Sequence, residues 1–191
     1  MTHLAAPLST LSLTLPRHDR CPVCRRPDVT SVALTEEARD AIMTEVHSSV
    51  SVETGGILVG CVDDNRRAIV FRATGPGPRA VKSPTEFDRD IEYVQSQLDK
   101  ASRELGNRGL YVGEWHSHLE KAPEPSARDI MSMCGIAESP NYATRCPVLL
   151  IAGIDRESAQ VSTFTTWCFP LGGRVYAILH EVLSGGTTDG A

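Results

Sequence analysis

The sequence predicts a mixed α/β domain whose sheet is largely antiparallel and flanked by helices. Segments of strand pattern alternate with segments of helical spacing, and turn residues join neighbouring strand patterns into a hairpin. The 191 residues, 41% of them hydrophobic, suffice for one domain with a buried core. We expect the domain to span residues 29–183, between an N-terminal extension over 1–28 and a flexible polar tail over 184–191.

The domain is expected to begin with a strand and a helix. Residues 29–34 alternate as in a strand, and helical spacing follows at Ala38, Ile42 and Val46. Thr35 stands where an N-cap residue is expected, since its hydroxyl can accept a hydrogen bond from the first helical turn.

Two strands and a loop should come next. The nearly continuous apolar run over 55–62 predicts a strand, and residues 66–73 predict its hairpin partner across the turn at 63–65. Glycine and proline residues predict a loop over 74–84, because neither residue favours regular structure there.

The second helix has the clearest pattern in the chain. Apolar residues recur at steps of three and four along one stripe, and Gly106 follows as a C-terminal cap. The stripe consists of Phe87, Ile91, Val94, Leu98, Ala101 and Leu105.

The remaining elements alternate again. Residues 109–118 predict a strand and 119–125 a loop, after which Ser126 can cap a third helix ending near Glu138. Further strands are predicted over 146–154 and 159–169, with a closing element of undetermined type over 175–183.

Composition narrows the classes of partner. The formal net charge of −5 does not favour nucleic acid or an anionic membrane surface, and no stretch approaches the roughly 20 apolar residues of a membrane span. The N-terminus has no basic residue before its apolar part, unlike a secretory signal. We therefore expect a cytoplasmic protein with no nucleic-acid or membrane partner, whose six cysteines are reduced thiols.

A three-residue group predicts a zinc site. His116 and His118 are two residues apart on a predicted strand, so their side chains share one face. Asp129 falls in the first turn of the third predicted helix, from which a carboxylate can return to the end of that strand. Two imidazoles and one carboxylate leave the fourth position of zinc open, as in catalytic sites.

Such a site also needs a group that moves protons. Glu53 precedes a predicted central strand and could project over the metal as general base. Besides capping its helix, Ser126 could donate a hydrogen bond to the oxyanion formed on the attacked carbonyl. Glu114 shares the predicted face of the histidines, where it could support them or occupy a solvated edge, whereas Trp115 should point into the core.

These residues resemble the motif of the JAB/JAMM zinc metallopeptidases: a Glu, then His-Ser/Thr-His, seven residues, a Ser, two residues and an Asp. The chain has Glu53, then His116-Ser117-His118, then LEKAPEP, then Ser126, Ala127-Arg128 and Asp129. GEWHSH resembles the form common in bacterial members, and the resemblance covers roughly residues 30 to 170. The chain departs from the family at Leu119, where members usually carry proline.

The resemblance implies a JAB/MPN sandwich related to cytidine deaminases and a zinc cofactor. It also implies hydrolysis of isopeptide or peptide bonds after the tail of ubiquitin or a ubiquitin-like protein. Such a protein or its conjugate is then the expected partner, with E1-like and E2-like proteins of an antiphage or mobile-element operon. We expect the loops over 74–86 and 134–146 to contact the substrate.

A cytidine deaminase is excluded, because no Pro-Cys-x-x-Cys follows the histidines. Two alternatives stay open: a metallopeptidase that processes a sulfur carrier in cysteine or cofactor biosynthesis, and a non-catalytic scaffold that binds a carrier protein.

Cys21 and Cys24 form half of a zinc knuckle, to which His18 could add a third ligand. A second, structural zinc and a loosely packed pair of thiols are the two interpretations of this segment.

Overall fold

A computed structural model describes residues 29–172 and 174–183 of the chain. Within them, the strands are β1 (Ser31–Thr35), β2 (Gly55–Val62), β3 (Arg67–Ala73), β4 (Val81–Ser83), β5 (Glu86–Asp88), β6 (Leu110–His118), β7 (Val148–Asp155), β8 (Gln160–Cys168), β9 (Tyr176–Ala177) and β10 (Leu179–Leu183). The helices are α1 (Glu36–His47), α2 (Ile91–Leu105) and α3 (Ala127–Glu138), with a short 3-10 turn over Gly106–Arg108.

Eight of the strands form one mixed sheet in the order β10-β1-β3-β2-β6-β7-β8-β9. Four of its seven strand pairs are antiparallel, and β1/β3, β1/β10 and β6/β7 are parallel. The predicted α/β class with a largely antiparallel sheet is therefore confirmed. Strand β6, which carries both histidines, lies at the centre between β2 and β7.

Helix α1 begins where the sequence predicts. The Oγ1 atom of Thr35 accepts a hydrogen bond from the N–H of Ala38 at 3.2 Å, which satisfies one of the unpaired amides of the first turn. Ala38, Ile42 and Val46 form its buried face, as their spacing predicts.

The two faces of the sheet are buried in two separate cores. One core contains α1, and Trp115 belongs to it, 1% exposed, as predicted. The other core lies on the face of the histidines and contains the buried sides of α2 and α3. A shift of register between Leu58 and Val59 of β2 places a bulge in the β2/β6 pair, upstream of the histidines.

Three details differ from the sequence-based expectations. Part of the predicted loop over 74–84 is strand β4, which pairs with β5 in a separate hairpin. Phe87 belongs to β5, so α2 begins only at Ile91, capped by Asp90. The expected substrate loop over 134–146 begins inside α3, which continues to Glu138. Local spacing could not reveal the hairpin, because each of its two short strands is a strand only through its pairing with the other.

The closing element over 175–183 consists of the short strands β9 and β10. The N-terminal extension with His18, Cys21 and Cys24 and the tail over 184–191 lie outside the described residues. Among the residues that are described, no helix has the length and apolar character needed to span a bilayer.

Candidate metal centre

The end of β6 and the first turn of α3 bring His116, His118 and Asp129 together. Both histidines lie on the same face of β6, as the alternation of a strand requires. Their side chains are each 12% exposed, and that of Asp129 is 17% exposed. The group is therefore sheltered but accessible from solvent.

The distances between the donor atoms suit a metal ion. The Nε2 atoms of His116 and His118 lie 2.9 Å apart, and the Asp129 oxygens lie 3.6 Å from the first and 3.5 Å from the second. Ligand atoms of tetrahedral zinc, with bonds of about 2.0 Å, lie about 3.3 Å apart. Two imidazole nitrogens this close need a shared proton or a cation, so the donor set fits a metal ion.

A capping box fixes the carboxylate of Asp129. The N–H of Asp129 donates to Oγ of Ser126 at 3.2 Å, and the N–H of Ser126 donates to Oδ2 of Asp129 at 2.7 Å. The same residues that start α3 therefore orient Asp129 toward the histidines. Ser126 is the N-cap that the sequence predicts, and it is exposed to solvent.

The charges of the group are coupled. Burial alone would raise the pKa of Asp129, but hydrogen bonds from His116 and His118 hold the pKa of this carboxyl well below its usual range. Burial lowers the pKa of His118, while the hydrogen bond with Asp129 raises it, and the resulting pKa lies above the ordinary histidine value. Asp129 is therefore an anion ready to share a proton or a cation with the imidazoles.

Glu53 lies on the same side of the sheet. Gly55 of β2 pairs with His116 of β6, and the N–H of Ser117 donates to the C=O of Thr54 at 2.8 Å. Continuing this antiparallel register places Glu53 opposite His118, on the face of the histidines. Burial raises the pKa of Glu53, and the charges of His118 and His116 partly oppose the rise.

The loop between the two parts of the site is held by side-chain donors. The C=O groups of Leu119, Lys121 and Pro123 accept hydrogen bonds from Arg156 at 2.7 Å, Ser162 at 2.8 Å and Thr165 at 2.8 Å. Leu119, at which the sequence departs from the motif that it resembles, packs against the core that contains α1. The loop thus has a defined path without a proline at its start.

Glu114 is buried and so does not lie at a solvated edge. It forms a buried ion pair with Arg89: Nη1 donates to Oε2 at 2.8 Å, and Nη2 lies 2.6 Å from Oε1. The hydroxyl of Tyr111 also donates to Oε1 at 3.2 Å. No local pattern indicates this pair, because Arg89 is 25 residues away in the chain.

The β4/β5 hairpin contacts the site at two points. The N–H of Glu53 donates to the C=O of Ser83 at 2.8 Å. On the other strand of the hairpin, Glu86 and Asp88 form ion pairs with Arg128, the neighbour of Asp129. Local patterns did not predict these contacts, because residues 81–83 were expected to belong to a loop.

Comparison with known proteins gives consistent matches. The model of a family described as prokaryotic homologs of the JAB domain matches residues 35–167. A CD-NTase/cGAS isopeptidase of Enterobacter hormaechei is 32% identical over 127 residues, which are 65% of this chain and 68% of that protein. A probable metalloprotease of Sinorhizobium fredii is 28% identical over 119 residues, 62% of this chain and 73% of that protein.

A solved structure supports the fold alone. The solution structure of a protein from Desulfitobacterium hafniense aligns with a TM-score of 0.60 at 20% sequence identity. The alignment covers 83% of this chain and 97% of that one.

Proposed function

The chain belongs to the family of prokaryotic homologs of the JAB domain, and we propose that it is a zinc-dependent isopeptidase. Its substrate would be a conjugate of a ubiquitin-like protein, or the C-terminal extension of such a protein. The observation that carries this proposal is the convergence of the donor atoms of His116, His118 and Asp129 within 4.8 Å, with Glu53 on the same face of the sheet, two residues before β2 begins.

His116, His118 and Asp129 would hold the metal through two imidazole nitrogens and one carboxylate. Three protein ligands are typical of catalytic zinc sites, whereas structural sites usually have four. When bound, zinc would act as a Lewis acid toward water and toward the carbonyl of the scissile amide.

Glu53 is proposed as the general base. Its carboxylate takes a proton from the attacking water and then delivers that proton to the nitrogen of the leaving amine. A base that must return its proton works best when its pKa is not far below the working pH. The rise that burial causes in the pKa of Glu53 is in this direction.

Ser126 is proposed to stabilise the oxyanion. Its oxygen already accepts a hydrogen bond from the N–H of Asp129. The hydroxyl proton remains available, because Ser126 is exposed and a hydroxyl can accept and donate at once. It can therefore donate to the oxygen of the attacked carbonyl as negative charge develops there.

Relatives suggest the class of substrate. Besides the Enterobacter protein, a CD-NTase/cGAS isopeptidase of Escherichia coli is 31% identical over 104 residues. We propose that this chain likewise cleaves an isopeptide bond to a CD-NTase-type protein, in the cytoplasm, beside the E1-like and E2-like proteins that make the bond. The sulfur-carrier alternative has no comparable support among these relatives.

The test compares Glu53→Gln with Asp129→Asn on a conjugate that the Enterobacter relative cleaves. Glu53→Gln should keep its zinc, measured by elemental analysis, yet cleave about 10²–10⁴-fold more slowly. Asp129→Asn should lose zinc as well as activity, because it weakens the site itself. Glu124→Gln, an exposed carboxylate in the loop over 119–125, is the control and should cleave normally.

Two outcomes would contradict the proposal. Cleavage by Glu53→Gln at the wild-type rate would show that Glu53 is not the base. Zinc-loaded wild type that binds the conjugate without cleaving it would favour the scaffold alternative.

A further inference from the structure

We propose that Glu45 of α1, acting through Thr54, is a positioning residue for the base Glu53. The inference rests on the proposed function, since it concerns how that base is held. Glu45 and Thr54 are not among the motif residues of the site, and Glu45 lies in helix α1, eight positions before Glu53.

Thr54 links the base to the strand of the histidines. Thr54 is fully buried, and its N–H donates to Oγ of Ser117 at 3.1 Å. In return, the N–H of Ser117 donates to the C=O of Thr54 at 2.8 Å. Two hydrogen bonds therefore join Thr54, the residue after Glu53, to Ser117, the residue between His116 and His118.

Glu45 fixes the side chain of Thr54. The hydroxyl of Thr54 donates to Oε1 of Glu45 at 2.7 Å, and Nζ of Lys82 donates to the same oxygen at 2.7 Å. Burial alone would raise the pKa of Glu45, but hydrogen bonds from Lys82 and Thr54 keep it below the ordinary value. Glu45 is therefore ionised, and charge-assisted hydrogen bonds are stronger than neutral ones.

The same carboxylate reaches the other neighbour of the base. Lys82 precedes Ser83, whose C=O accepts the hydrogen bond from the N–H of Glu53 at 2.8 Å. Glu45 thus binds Thr54 directly. Through Lys82 it also binds strand β4 next to Ser83, the residue whose C=O accepts the hydrogen bond from the N–H of Glu53. Removing this anchor would let the main chain at Glu53 shift, and shifts near 1 Å at a reacting group can cost about 10²-fold in rate.

Glu45 is not one of the residues through which α1 packs into its core. The helix packs into its core through Ala38, Ile42 and Val46, whereas the side chain of Glu45 is only partly buried, 23% exposed. Two of its partners, Thr54 and Lys82, adjoin Glu53 or its hydrogen-bond acceptor. The carboxylate therefore contributes to the placement of the base more than to the core.

The experiment changes the hydroxyl of Thr54 in the full chain. Thr54→Val keeps the shape but removes the donor to Glu45, and Thr54→Ser keeps the donor. On the conjugate used above, we expect Thr54→Val to lower kcat about tenfold, a part of the 10²–10⁴ that a positioned base supplies. KM and zinc content should stay unchanged, and Thr54→Ser should restore most of kcat.

The matched control is Thr74→Val. Thr74 is also a buried threonine, and its Oγ1 accepts a hydrogen bond from the N–H of Ile57 in β2, the strand that follows Thr54. It has no contact with Glu45 or Glu53 among the hydrogen bonds of the described residues. The variant should lose stability as Thr54→Val does but keep its kcat.

Two readouts identify positioning. In a Glu53→Gln background, Thr54→Val should lower kcat no further, because there is no base left to place. Without any substrate, the amides at positions 54 and 55 should be less protected from hydrogen exchange in Thr54→Val than in Thr54→Ser, after correction for the intrinsic rates of the two residues.

Different results would contradict the positioning role of Glu45 and the proposed role of Glu53. Wild-type kcat in Thr54→Val, or an equal loss in the Glu53→Gln background, would overturn the positioning role while leaving the base intact. Unchanged hydrogen exchange in Thr54→Val would overturn it even if no conjugate is cleaved. If Glu53→Gln itself is fully active, the proposed function fails first.

Discussion

Breaking the ion pair between Arg89 and Glu114 should destabilise the protein, because it leaves a buried charge on the strand that carries the histidines, and Arg89→Met tests this. The two side chains are 11% and 12% exposed. Removing one partner of a buried pair leaves the other charge without compensation, which costs about 3–5 kcal/mol. For a protein of this size, that loss lowers the Tm by about 6–20 °C.

The assay is urea unfolding of the metal-free protein, so that metal binding does not change the apparent stability. The control is Arg39→Met, the same substitution in an ion pair whose partners are 40% and 63% exposed. An exposed pair of this kind contributes about 0–1 kcal/mol. The difference between the two variants therefore isolates the effect of burial.

Replacing both charges should recover most of the loss, because a buried pair often contributes little over apolar residues of similar volume. Arg89→Met with Glu114→Leu still leaves the hydroxyl of Tyr111 without its acceptor, at a cost of about 1–3 kcal/mol. Adding Tyr111→Phe should remove this remaining cost. If Arg89→Met destabilises the protein no more than Arg39→Met does, burial of the ion pair does not have the effect expected here.

Two further predictions concern the site. Ser126→Gly should cost only a few tenths of a kcal/mol, since glycine is a tolerated N-cap, but should lower kcat about 10²–10³-fold if the hydroxyl binds the oxyanion. Denaturation and steady-state kinetics measure the two effects, and an unchanged kcat would refute the oxyanion role. Zinc affinity should fall as pH decreases through the raised pKa of His118, because protons compete with the metal for the ring nitrogen. Chelator-buffered zinc titrations from about pH 8 to about pH 5 measure this, and a constant affinity over that range would contradict it.

Local sequence patterns were enough to predict most of the helices and strands of the main sheet and the faces that they bury. The spacing of Ala38, Ile42 and Val46 predicted the buried face of α1, and the interval of two placed His116 and His118 on one side of a strand. These features depend on local geometry, since the periods of helices and strands are properties of the backbone. The ten positions between His118 and Asp129 could likewise be interpreted as a loop and a helix start from residue types alone.

Contacts between distant residues outside the motif could be seen only in the folded chain. Glu114 looked like a solvated residue or a support for the histidines until the fold placed Arg89 beside it. Residues 81–83 became a strand because β5 folds back on them, and this pairing brought Lys82 to Glu45. Contacts of this kind depend on the relative placement of whole elements, to which the local pattern contributes nothing. The roles of Glu53 and Ser126 stay predictions, but the register of β2 with β6 and the capping box of α3 give each of them a defined position.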